Sequence, residues 1–207
     1  MKRIEGAGWP APHAAVRRQT NVSRHLREPG KRGIDVPLIL SRDAHGSKIY
    51  TPAMLIIAGF LLGVASGMRS MTPMAVVAWA AQLRWPQLQQ TGLSFLTAPV
   101  TAYIFAACAA IELVFDKLPF TPSRLGAGPL GARILFGGLA AAALCAAGHQ
   151  SIAIGAVVGA IGGIAGAFAG YHVRHYLTTT LKAPALLIAL AEDALAIGIS
   201  LFAVTRL

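Results

Sequence analysis

The chain has 207 residues, of which 55% are hydrophobic and only 13% charged, with a mean hydropathy of +0.60. A soluble domain carries about a quarter charged residues, so this composition excludes an ordinary soluble domain and is that of a membrane protein. The formal net charge of +10 does not point to nucleic acid: ten of the eighteen Lys and Arg precede Met54, and no nucleic-acid motif or interleaved aromatic stripe accompanies them, so no nucleic-acid partner is expected.

Residues 1–50 are polar, rich in Arg, Pro and Gly, and show no sustained period of 3.6 or 2. They read as a disordered basic tail. No apolar stretch follows the early charges at signal-peptide distance, and Glu5, Glu28, Asp35 and Asp43 count against an organelle transit peptide. The favoured reading is an overlong start or a dispensable cytoplasmic tail, with Met54 a candidate initiator.

From Thr51 to Leu207 the chain reads as a transmembrane helical domain. Its apolar segments are Met54–Leu83, Leu93–Phe115, Leu130–Ala147, Ser151–Tyr171 and Ala183–Val204. Most are near the roughly 20 residues that span a bilayer. Spanning backbone must satisfy its own hydrogen bonds, so the expected fold is an all-α bundle of about five transmembrane helices.

The first segment is too long for one straight span: thirty residues would make a helix of about 45 Å. Pro73 cannot give an N–H to the carbonyl of Arg69, and Thr72-Pro73 reads as an N-cap followed by proline at the first helical position. A break near Gly67–Pro73 is therefore expected, leaving Arg69 inside an apolar run beside the positive end of a half-helix. The alternative is an interfacial Arg69 and a simple proline kink.

The connector after the second segment carries Lys117 and Arg124, with Arg133 just beyond it, and the connector after the fourth carries Arg174 and Lys182. Counted with the basic tail, and with segment one crossing once, this predicts a cytoplasmic N-terminus and an external C-terminus in the inner (plasma) membrane. Asp116, Lys117, Arg124 and Arg133 read as an interfacial charged motif. The fourth segment repeats glycine at Gly155, Gly159 and Gly163 and at Gly162, Gly166 and Gly170. Each row lies on one helical face, a small-xxx-small pattern for close packing and a candidate route to a homo-oligomer.

After Asp43 the only acids are Glu112, Asp116, Glu192 and Asp193, all in or at the ends of apolar segments. Charge is expensive there and normally pairs inside a bundle. Arg69, Thr72, Glu112, Glu192 and Asp193 are therefore the candidate polar or substrate site, with Arg69 meeting the Glu192-Asp193 pair. Cys108 and Cys145 lie in apolar runs and read as buried small hydrophobes. His172 and His175 share a face without further ligands nearby. Neither a metal nor a cofactor is expected.

The strings "SGMRSMTP", "IELVFDKLPFTPSR" with Arg133 behind it, the glycine-rich helix and "AEDALAIG" together resemble a family of small bacterial membrane proteins. That family is catalogued as domain of unknown function 4126. The resemblance covers about residues 54–207, on Gly67, Arg69, Pro73, Glu112, Asp116, Lys117, Pro119, Pro122, Arg124, Glu192 and Asp193. It implies a polytopic inner-membrane protein and supplies no activity. A faint echo relates Gly63-x3-Gly67-x-Arg69 to Gly166-x3-Gly170-x3-Arg174.

Three functions fit these residues. In a small transporter or channel, Arg69 and the half-helix end would bind an anionic group of a small solute, while Glu192 and Asp193 carry protons or a cation. In a structural or assembly protein of the bilayer, the same charges fix helix packing. A lipid-modifying enzyme is disfavoured, because no HExxH, GxSxG or nucleophile–base constellation occurs.

Overall fold

A computed structural model of the chain describes residues 41–42, 48–49, 51–116, 126–182 and 184–205. The tail read as disordered lies outside the described residues, apart from the two-residue strands Ser41–Arg42 and Lys48–Ile49, which pair antiparallel. All other described regular structure is helical: α1 Pro52–Met68, α2 Met71–Arg84, α3 Pro99–Phe115, α4 Ala127–Ala147, α5 Ile152–Thr179 and α6 Ala185–Thr205. Short 3-10 turns, Pro86–Gln90 and Ser94–Thr97, join α2 to α3. Among the described residues, α4, α5 and α6 are long and apolar enough to cross a membrane, while α1 and α3 are shorter apolar helices.

Local chemistry sets the helix starts. Thr51 Oγ1 accepts from Met54 N at 3.4 Å ahead of Pro52 in the first turn of α1, and Ser151 Oγ does the same for Ile154 N in α5. The helix expected from Leu93 begins six residues later, because Pro99 suits a first helical position and the residues before it form a 3-10 turn. α5 outruns its apolar stretch by eight residues, carrying His172, Arg174 and His175 in its last turns.

The first apolar segment breaks at Arg69, which caps α1 in extended conformation (φ −140°, ψ 110°). α2 starts at Met71, two residues before the expected Thr72-Pro73 start, so Pro73 falls at the third helical position, whose N–H needs no partner.

The chain also reverses at this break. Leu55, near the start of α1, lies against Gly148 at the end of α4. Gln87, just past α2, donates from Nε2 to Ala147 O at 2.7 Å at the same end. Higher up, Ser66 Oγ donates to Arg133 O at 3.1 Å. α1 therefore rises along α4 and α2 descends again. The two make little contact with each other, while each packs on α4 and α6.

At about 25 Å and 21 Å, neither α1 nor α2 matches a hydrocarbon core of about 30 Å. Their turn is overtopped by α5, which runs on from Ala167, beside Gly67, to Thr179. One broken span is thus replaced by a helical hairpin entered and left at one end of the bundle. α6 finishes at that end too, with Val204 and Thr205 beside Leu83 and Arg84. The start of α1 and the finish of α6 therefore lie at the same end of the bundle.

α5 runs between α1 and α4 at backbone distance. A Cβ on Gly155 would come within 2.6 Å of Ala141 O, and one on Gly163 within 2.8 Å of Arg133 O; both point at α4. On the other face, a Cβ on Gly162 would meet Phe60 O at 2.5 Å, and one on Gly166 would run into Val64 O of α1. Gly159 is pressed against Gly137 O of α4 and also meets Gly63 of α1. These glycine contacts lie within one chain. Gly170 is different: a Cβ there would find only Met68 Cγ, at 3.9 Å. At the lower end, Leu55, Leu62, Met74, Val77, Trp85, Leu88, Leu96 and Leu144 form the apolar core. Trp79 and Tyr103 pack edge-on with centroids 5.4 Å apart and tie α2 to α3.

Candidate functional site

The turn between α1 and α2 sets Arg69 fully inside the bundle, at 0% exposure. Its Nη1 pairs with Asp116 Oδ2 at the end of α3, and its Nη2 lies 2.5 Å from Asp193 Oδ1 of α6. The two carboxyl side chains are 16% and 9% exposed. One guanidinium fork thus serves two acids from different helices, a geometry for which arginine is suited and lysine is not.

Glu112, one turn before Asp116, does other work. Its carboxylate accepts from Ser70 N at 2.7 Å and from Met71 N at 2.8 Å. Ser70, at the N-cap, makes no side-chain cap bond. A carboxylate from α3 therefore caps α2, meeting both its unpaired N–H groups and the positive end of its dipole. This is why α2 can start without the expected Thr72 cap. Thr72 lies in the first turn, 5% exposed, and its hydroxyl has no hydrogen-bond partner among the described residues.

Glu192 does not join its neighbour on Arg69. Adjacent helical residues point about 100° apart, and Glu192 turns toward α5, where Oε2 accepts from Arg174 Nη1 at 3.3 Å. The pair is partly open, with Arg174 25% exposed and Glu192 9%. The expected meeting of Arg69 with both acids is therefore divided: Asp193 reaches Arg69, and Glu192 reaches Arg174.

Two members of the interfacial motif lie among the described residues. Asp116, at the end of α3, is a partner of the buried arginine. Arg133, at 4% exposure, is enclosed within α4, because the Ser66 contact draws the first turns of that helix against α1. Lys117 and Arg124 lie outside the described residues. Arg174 was absent from the expected site. Its signal was present in the sequence, since a second arginine heads the second acidic pair as Arg69 heads the first. Among the described residues no group of three or more His, Cys, Asp or Glu is arranged to hold a metal.

Apolar helices around a buried cluster of paired charges define a membrane protein of the helical-bundle class. The sequence pattern of the family described as Domain of unknown function (DUF4126) matches residues 56–206. The chain belongs to that family, and the match takes in every described helix except the first residues of α1. Neither a curated protein nor a solved structure matches the chain.

Proposed function

We propose that this protein is a carrier or channel for a small ion or solute in the plasma (inner) membrane, acting by transport rather than catalysis. The observation that supports it is the sharing of Arg69 by Asp116 and Asp193 at the turn of a helical hairpin. Two carboxylates from different helices meet one buried arginine there, and ionisable groups inside a membrane bundle are costly and mark ion and proton pathways. Carboxylates so placed take up and release a proton or exchange a cation, which is the behaviour required of a coupling site. Broken helices that end inside a bundle are a recurring setting for such sites.

The geometry favours cation or proton coupling over the anion site expected at the α2 end, because the N–H groups there already hold Glu112. The test is flux in proteoliposomes loaded with a pH-sensitive dye, under imposed proton, sodium or potassium gradients. Dissipation by the wild type, lost in Asp193→Asn protein that remains folded, is the expected result. Absence of flux for all three ions would refute cation coupling.

A second reading is a structural or assembly role. It is favoured by Glu112 tying α3 to α2 and Arg174 tying α5 to Glu192 of α6. Under that reading the same variants lose stability, and no gradient is dissipated by any of them.

A further inference from the structure

A groove of about 210 Å³ runs between α5, from Gly166 to Leu177, and α6, from Ile188 to Leu195, with Val64 and Met68 of α1 as its floor. The two walls make little contact with each other. Among the described residues Glu192 is the one charged side chain that lines it, and this carboxylate is held by Arg174.

We propose that the groove holds one acyl chain of an anionic phospholipid, with the headgroup at the Arg174 end. Three observations converge on this occupant. The first is depth. Eleven residues of α5 separate Gly166 from Leu177, about 16 Å of helix, which matches half of a hydrocarbon core about 30 Å thick. The groove is one leaflet deep and lies along helices that cross the bilayer.

The second is charge. Arg174 spends Nη1 on Glu192 yet remains 25% exposed, leaving guanidinium donors that fit a phosphate. His172, His175 and Lys182 lie nearby in sequence at the same end of α5 and are exposed. Basic residues at the mouth of an interhelical pocket are the arrangement that retains anionic headgroups.

The third is Gly170. Glycine weakens a helix interior unless something needs the space, and Gly155, Gly159, Gly162, Gly163 and Gly166 are all accounted for by neighbouring backbone. Gly170 is not, since a Cβ there meets only Met68 Cγ at 3.9 Å. Its missing side chain widens the groove and serves no helix contact.

The test uses the full chain in mild detergent, titrated with phosphatidylglycerol or phosphatidylcholine and read by native mass spectrometry. The wild type should retain one phosphatidylglycerol per chain, at least about tenfold more tightly than phosphatidylcholine. Gly170→Leu fills the groove with a good helix former, so it should lose that retention while its melting temperature in lipid-free detergent holds or rises. Ala191→Leu, on the opposite wall, should do the same and serves if Gly170→Leu folds poorly. Arg174→Gln should erase the preference between the two lipids. Equal retention of both lipids by the wild type, or undiminished retention in both groove-filling variants, would overturn the proposal. So would a change of oligomeric state in place of lipid loss, which would make the occupant a second copy of the chain.

Discussion

Replacing Arg69 by leucine is the sharpest test of the buried charge cluster. The side chain is 0% exposed, and its removal takes from Asp116 and Asp193, 16% and 9% exposed, the guanidinium that they share. Breaking a buried ion pair from one side costs about 3–5 kcal/mol, whereas replacing all members by apolar groups is often close to neutral. In a chain of this size about 1 kcal/mol moves the melting temperature by roughly 2–4 °C, so Arg69→Leu should melt about 6–20 °C lower, followed by tryptophan fluorescence in detergent. Asp193→Leu should cost less, because Asp116 remains on the arginine. The triple change Arg69→Leu, Asp116→Leu, Asp193→Leu should recover most of the loss. Strictly additive losses across this set would refute the reasoning, since groups that meet must couple.

Further outcomes follow from the same geometry. Glu112→Ala should cost about 0.5–2 kcal/mol, the range for losing a helix cap, and Glu112→Gln less, both read from thermal unfolding. Gly166→Ala should destabilise by about 1–3 kcal/mol, because its Cβ meets backbone of α1 that cannot step aside. Gly170→Ala should be neutral or stabilise by up to about 1 kcal/mol. Topology reporters inserted before Thr51 and after Leu207 should register the same compartment; opposite compartments would refute the reversal at Arg69.

The helices were legible because hydropathy and proline position carry them: four of the five apolar segments correspond to helices with ends shifted by zero to eight residues. The break in the first was legible from Pro73 and the small polar residues around Arg69. Its reversal was not. A run of apolar residues looks the same whether the chain continues across a bilayer or turns back, and the information that decides it sits in α4, at Ala147 and Gly148. The start of α2 was misread for a related reason, since its cap comes from Glu112, some forty residues away, and local cap rules see only neighbours. Asp116 and Arg133 were assigned to an interface because polar, proline-rich sequence lies between them. The pairing of Asp116 with Arg69 depends on where α3 ends relative to the Arg69 turn, a distance that no spacing in the sequence encodes.

The two adjacent acids of α6 suggest how the site and the seam beside it belong together. Asp193 ties α6 to the α1–α2 turn through Arg69, and Glu192 ties it to α5 through Arg174. α6 packs well on α1 and α2 but makes little contact with α5, so the Arg174–Glu192 pair is the described polar link across a seam that packing leaves open. That pair is also the weaker one, longer at 3.3 Å and reached by solvent or headgroups through a partly exposed arginine. A change that loosened it would free the α5 side of α6 while Arg69 still held Asp193. Because Glu192 and Asp193 are neighbours on one helix, a tilt of α6 that lengthened one contact would strain the other. The fold thus offers a physical route by which events at the membrane-facing groove and the charge state of the buried triad could influence each other.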